Sequence, residues 1–127
     1  MADVNRGNRP LSPHLQVYRP QLTSITSIFA RITGVALLGA AILVVWWFFA
    51  ASMGADYYNV VNGLMTSFIG DVVMFLALWA LCYHALSGLR HLIWDIGIGL
   101  EVETAEKMGL GVIFGSVILA ILVAVIV

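Results

Sequence analysis

The chain has 127 residues, 61% of them apolar and 10% charged, with a formal net charge of −1. Soluble domains average roughly 45–50% apolar and about 25% charged residues, so thirteen charges cannot cover a water-facing surface here. Such a composition excludes an ordinary soluble enzyme, a disordered chain and a nucleic-acid binder, which would carry a basic surplus.

The charges are placed unevenly. None falls between Ile32 and Ala55, between Val72 and Leu89, or from Met108 to Val127. A bilayer core about 30 Å thick takes roughly 20 helical residues. The gaps predict an all-α membrane protein with three transmembrane helices, near 25–52, 62–94 and 107–127, within a membrane domain over 25–127. The first 20 residues hold all three prolines, Pro10, Pro13 and Pro20, and predict an extended N-terminal segment over 1–24. The first apolar run begins too late and runs too long for a cleaved signal. Thr23, Ser24 and Thr26 are candidate caps for the first helix, and Trp46, Trp47, Phe48 and Phe49 a candidate interfacial belt near its end.

Lys/Arg counts set the expected orientation. Arg6, Arg9, Arg19 and Arg31 precede or open the first helix, Arg90 and Lys107 flank the second inner loop, and the remaining loop and the C-terminus have none. The N-terminus is therefore expected inside and the C-terminus outside. In the third helix Gly111 and Gly115, followed by Ala120 and Ala124, form a small-residue stripe, and the first helix offers Gly34, Gly39, Ala40 and Ala41. Both read as close helix packing. Cys82, the single cysteine, reads as a small buried residue. The helices lack the paired polar breaks of a transporter.

Ionisable groups at membrane depth are costly and point to function. With Trp94 and Asp95 at the inner interface, His84 lies ten residues, roughly 15 Å, inward. Gly88 and His91 share its helical face. A flat macrocycle on an axial imidazole needs room beside the ligand, which Gly88 supplies. Arg31, Arg90 and His91 could meet its propionates. The competing reading has His84 bonding to a neighbouring helix. His91 cannot reach the opposite face of the same ring, and His14 sits outside the membrane, so a second axial ligand must come from another polypeptide. Ser24, Ser27 and Arg31, at i, i+3 and i+7, form a second cluster. They could polarise quinone carbonyls, or the serines could cap the helix while Arg31 reaches lipid phosphates.

Three stretches carry a resemblance: Arg9-Pro10-Leu11-Ser12-Pro13-His14-Leu15, the run from Ser24 to Gly34, and His84-Ala85-Leu86-Ser87-Gly88-Leu89-Arg90-His91-Leu92-Ile93-Trp94-Asp95. The last, H-x-x-x-G-x-R-H-x-x-[aromatic]-D, is the most specific. Together they resemble the succinate dehydrogenase cytochrome b556 subunits, the membrane anchors of respiratory complex II, over nearly the whole chain. The resemblance implies half of a two-subunit helix bundle that holds one haem b, with His84 as one axial ligand and a second small membrane subunit giving the other. It places Arg31 and His91 near the haem propionates, beside the Gly88 already read as room for the ring, and Ser27 and Arg31 at a ubiquinone site. It also implies an iron–sulfur subunit and an FAD flavoprotein on the inner face of a bacterial inner membrane, ranked above a mitochondrial one. Succinate would be oxidised on another subunit, so this chain has no catalytic residue for that step. One departure stands out: the family usually has histidine immediately before the first-helix arginine, where this chain has Ala30. A fumarate reductase anchor, and a structural anchor without cofactor, are the alternative functions.

Overall fold

The computed structural model describes residues 18–127, which form four helices in chain order: α1 (Leu22–Met53), α2 (Ala55–Met65), α3 (Phe68–Asp95) and α4 (Val102–Ile126). The expected N-terminal segment, with Arg6, Arg9 and His14, lies outside the described residues up to position 17. Three of the helices, α1, α3 and α4, are long and apolar enough to cross a membrane.

Helix α1 starts a turn earlier than its apolar run suggests. Gln21 is its extended N-cap, directly after Pro20, whose ring disfavours continuing a helix upstream. Leu22, Thr23 and Ser24 therefore form the first turn rather than an extended lead-in. No side chain caps this end. The hydroxyls expected to cap it act elsewhere: Thr26 Oγ1 donates to the Thr23 carbonyl at 3.1 Å, and Ser24 Oγ pairs with the Tyr18 hydroxyl at 2.9 Å.

Gly54, with φ of 116°, ends α1 in a conformation that L side chains rarely adopt, and α2 turns away from it. The short α2 was not anticipated. It buries Val61 and Met65 against Ala50, with Leu43, Trp46, Trp47 and Met74 packed around them. Trp46 Nε1 donates to the Tyr57 hydroxyl at 2.9 Å. The expected aromatic belt is thus divided. Trp46 and Trp47 are half-buried under α2, while Phe48 and Phe49 are exposed on the apolar exterior.

Residues 62–67, expected within the second span, belong to α2 and to the turn after it. Ser67 caps α3 by accepting from the Gly70 amide at 3.2 Å. A Cβ on Gly70 would overlap the Met65 carbonyl, so only glycine lets the turn pass this closely.

Between the long helices the buried residues are small. Helix α4 turns Ala105, Gly109, Val112, Ser116 and Ala120 inward against α3 and α1. This stripe matches the expected one only in part: Ala120 is buried, and an added Cβ on Gly115 would meet Leu86 at 3.3 Å. Gly111 faces open space and Ala124 is exposed, whereas Gly109 is buried, where an added Cβ would meet Arg90 and Thr26 at 3.3–3.4 Å. Cys82 is buried in α3 as a free thiol. Most large apolar side chains point outward, including Ile28, Ile32, Val35, Leu38 and Ile42 of α1. Such a surface suits a hydrocarbon environment.

Candidate functional site: a histidine cleft between α1 and α3

Helices α1 and α3 run antiparallel, with Ala30 against His84 and Thr26 against Arg90, and an open cleft of about 550 Å³ lies between them. Its walls are Ser27, Ala30, Arg31, Gly34, Val35 and Leu38 from α1, and His84, Ser87, Gly88 and His91 from α3. The sequence-derived candidates His84, Gly88, His91, Ser27 and Arg31 therefore come together on one cavity.

His84 sits eleven residues before the end of α3, about 16 Å along the axis. Its ring crosses to α1. Nδ1–H donates to the Ala30 carbonyl at 2.9 Å, with the Thr33 hydroxyl 3.5 Å away. Thr33 also donates back to its own helix, to the carbonyls of Phe29 and Ala30 at 2.8 and 3.0 Å. A proton held on Nδ1 leaves the Nε2 lone pair free as a ligand, and the carbonyl fixes the ring's orientation. The reading in which His84 bonds to a neighbouring helix is thus compatible with the ligand reading. One nitrogen makes the helix contact and the other remains available.

Gly34 makes this geometry possible. A Cβ there would lie 2.9 Å from His84 Cε1. Sequence inspection assigned Gly34 to generic packing. Its spacing gives no sign that it underlies an imidazole on another helix. Gly88, one turn after His84, has nothing within 4 Å of where its Cβ would be, so the wall of the cleft stays open there.

His91 is exposed on the cleft and stacks on Trp94, ring centroids 5.2 Å apart and planes 22° apart. Arg31 is exposed at the same end, and Ser27 is half-buried beside it. Ser24 does not line the cleft.

Arg90 belongs elsewhere. It was a candidate partner for propionates, but it is only 2% exposed and does not line the cleft. Its Nη1 donates to Thr26 Oγ1 at 3.1 Å, and its guanidinium lies 4.6 Å from the centre of the Trp94 ring. Adjacent residues on a helix point about 100° apart. With His91 on the cleft, Arg90 turns into the α1–α3–α4 junction. There the Tyr83 hydroxyl donates to the Thr26 carbonyl at 3.0 Å.

Ser87 was also unremarked. It is 1% exposed and lines the cleft, and its hydroxyl has no hydrogen-bond partner.

Fold and cleft together define a polytopic helical membrane protein that presents an oriented imidazole, a guanidinium and hydroxyls within its spans. The chain belongs to the succinate dehydrogenase/fumarate reductase transmembrane subunit family, whose model matches residues 5–123. It is 50% identical to a succinate dehydrogenase cytochrome b556 subunit of Paracoccus denitrificans, over 99% of this chain and 97% of the relative. It is 39% identical to a cytochrome b556 subunit of succinate dehydrogenase from Rickettsia bellii, covering 90% and 89% of the two chains. A cytochrome b560 subunit of succinate dehydrogenase from Marchantia polymorpha is 39% identical, with 91% and 88% covered. Its relatives are thus membrane subunits of an oxidoreductase complex.

Proposed function

We propose that this chain is the haem b- and ubiquinone-binding membrane anchor of a bacterial succinate:ubiquinone oxidoreductase, carrying electrons from an iron–sulfur subunit to quinone. One observation carries the reading: His84, with Nδ1 held by the Ala30 carbonyl, stands in an open cleft whose other polar walls include Ser27, Arg31 and His91. The donor set fits a haem. A neutral imidazole with a free Nε2 is a suitable axial ligand, Gly88 leaves room for a planar ring, and Arg31 and His91 suit carboxylates at the cleft's inner end. A bound haem supplies one-electron redox chemistry there.

The protein's own part is positioning. The Ala30 carbonyl sets the tautomer and tilt of His84. Arg31 places a fixed positive charge where a quinone carbonyl gains electron density, and Ser27 offers a hydroxyl donor. The apolar exterior keeps bulk water away, which strengthens these electrostatic terms. Among the described residues His91 is the only other histidine, and its place on the same helix keeps it from the opposite face of a ring held by His84. The second axial ligand is therefore assigned to a second small membrane subunit. The iron–sulfur and flavoprotein subunits lie on the inner side, where the Lys/Arg bias puts the N-terminus, with the C-terminus outside. The names of the Paracoccus and Rickettsia relatives support the complex and the bacterial inner membrane.

The test uses the complex purified with this chain. His84→Ala should abolish or convert the low-spin b-type signal in reduced-minus-oxidised spectra. An unchanged spectrum rejects the ligand. Ser27→Ala and Arg31→Ala should depress quinone reduction at least about tenfold more than dye reduction by the same complex, the effect of removing polar contacts to developing charge. Equal losses would assign both residues to assembly.

A further inference from the structure

The Ser87 hydroxyl is unusual among the buried hydroxyls of the described helices. Thr26, Thr33 and Ser116 each donate to a carbonyl three or four residues earlier on their own helix. Ser87 does not, although the same acceptors lie within one turn of it, and its oxygen has no other partner. A buried hydroxyl left unpaired costs about 1–3 kcal/mol, and within a membrane no bulk solvent offsets it.

Its position is fixed by neighbouring contacts. In the antiparallel register of α1 and α3, Gly34 and the Ala30 carbonyl meet His84, while Thr26 meets Arg90. Ser87, midway between His84 and Arg90, falls opposite Ala30. That methyl offers no hydrogen-bonding atom, and both residues line the cleft. Ser87 thus stands on the cleft wall, one helical turn from the imidazole and between it and His91, with its unpaired hydroxyl buried.

We propose that Ser87 is a ligand-binding residue whose hydroxyl donates to an acceptor oxygen of the group that fills the cleft. The acceptor is either a carboxylate of the macrocycle or a carbonyl of the quinone. This rests on the reading of the cleft as a haem and quinone site. A rotation about the Cα–Cβ bond brings the hydroxyl to the acceptor when the cleft is filled, which gives the oxygen the partner it lacks in the chain alone. Serine fits this role better than threonine would. Its single heavy atom swings between positions, whereas a β-branched side chain is stiff at χ1.

The experiment compares wild-type complex with Ser87→Ala and Ser87→Cys complexes, the cysteine keeping a weak donor of similar size. If the acceptor is a haem carboxylate, Ser87→Ala lowers the haem midpoint potential, because the carboxylate's charge is less well compensated. It also changes the pH dependence of that potential, and Ser87→Cys restores part of the shift. If the acceptor is the quinone, the potential stays put and KM for a short-chain ubiquinone rises about two- to tenfold, the worth of one hydrogen bond. Dye reduction is then unchanged. An alanine variant with wild-type potential and wild-type KM overturns the proposal. If the alanine complex assembles poorly, Ser87→Val, which fills the volume without a donor, is measured in its place, and wild-type values for it also overturn the proposal. A wild-type complex lacking both haem and quinone reductase activity would reject the underlying reading of the cleft, an outcome distinct from unchanged values in the variants.

Discussion

His84 and Ala30 are joined across two helices by a side-chain to backbone hydrogen bond of 2.9 Å. A backbone carbonyl as partner makes the contact independent of which side chain occupies position 30. It depends instead on how closely α1 and α3 approach, and that distance is set by Gly34, against which the imidazole lies.

Gly34→Ala should therefore damage the site without altering any group that contacts a ligand. The new Cβ would stand 2.9 Å from His84 Cε1, and both groups are on rigid helices. Relieving such overpacking typically costs about 1–3 kcal/mol. The imidazole must tilt, lengthening the bond to Ala30. The expected outcome is a complex with reduced haem content and a shifted or heterogeneous low-spin signal in electron paramagnetic resonance. Gly39→Ala, at a glycine with nothing within 4 Å, is the matched control and should be spectroscopically silent. Wild-type spectra in both variants would show that the close approach has no bearing on the ligand.

The site's main line was legible in the sequence because two strong rules coincide. Uncharged stretches of about 20 residues mark spans, and a histidine inside one is costly enough to need a reason. The 3.6-residue period then places Gly88 and His91 beside it. What escaped depends on rotation and on long-range contact. Arg90 neighbours His91 in sequence and resembles it in chemistry, yet the helical rotation sends it into the junction with α4. Of the two glycines that match a packing motif by spacing, Gly115 packs against Leu86 but Gly111 faces open space, and Gly109 makes the other close approach, because the buried face of α4 is set by where Arg90 and Thr26 stand. The short α2 escaped because it carries the polar residues Asp56, Asn59 and Asn62 and a weaker apolar run, so counting charges merges it with a loop.

Arg90 also leads to a stability prediction. Its guanidinium is buried, with one hydrogen bond to Thr26, a face on Trp94, and Nε and Nη2 unpaired. Charge buried with incomplete pairing contributes little net stability, whereas the volume it fills matters. Arg90→Ala should open a cavity between α1, α3 and α4 and destabilise the chain by about 2–4 kcal/mol. Arg90→Met, which keeps most of the volume, should cost about 1 kcal/mol or less. The thermal midpoint of the detergent-purified complex measures both, and equal losses would show that the charge matters more than the packing. Lys107→Ala provides the surface comparison. Its pair with Glu103, at 2.7 Å, is 72% and 81% exposed, and its loss should fall within about 0.5 kcal/mol.

Trp94 links the cleft to the loop between α3 and α4. Its ring stacks with His91 and lies beside the Arg90 guanidinium, while Nε1–H donates to the Gly99 carbonyl at 3.0 Å. The loop needs such a tether, since Gly97 and Gly99 both adopt positive φ, 78° and 75°, at an entropic cost that the hydrogen bond helps offset. The two functions of the side chain separate by substitution. Trp94→Phe keeps an aromatic face for His91 but removes the donor. It should cost about 0.5–1.5 kcal/mol, expressed locally as faster amide exchange over residues 97–101, with the haem spectrum unchanged. Trp94→Ala removes the face as well. It should loosen the loop to a similar degree, lower the thermal midpoint further by stripping Arg90 of its aromatic partner, and free the His91 ring to rotate. A change in the haem spectrum should then appear in the alanine variant alone. If the phenylalanine variant shifts the spectrum as much as alanine does, then the loop tether rather than the ring stack fixes the inner end of the cleft.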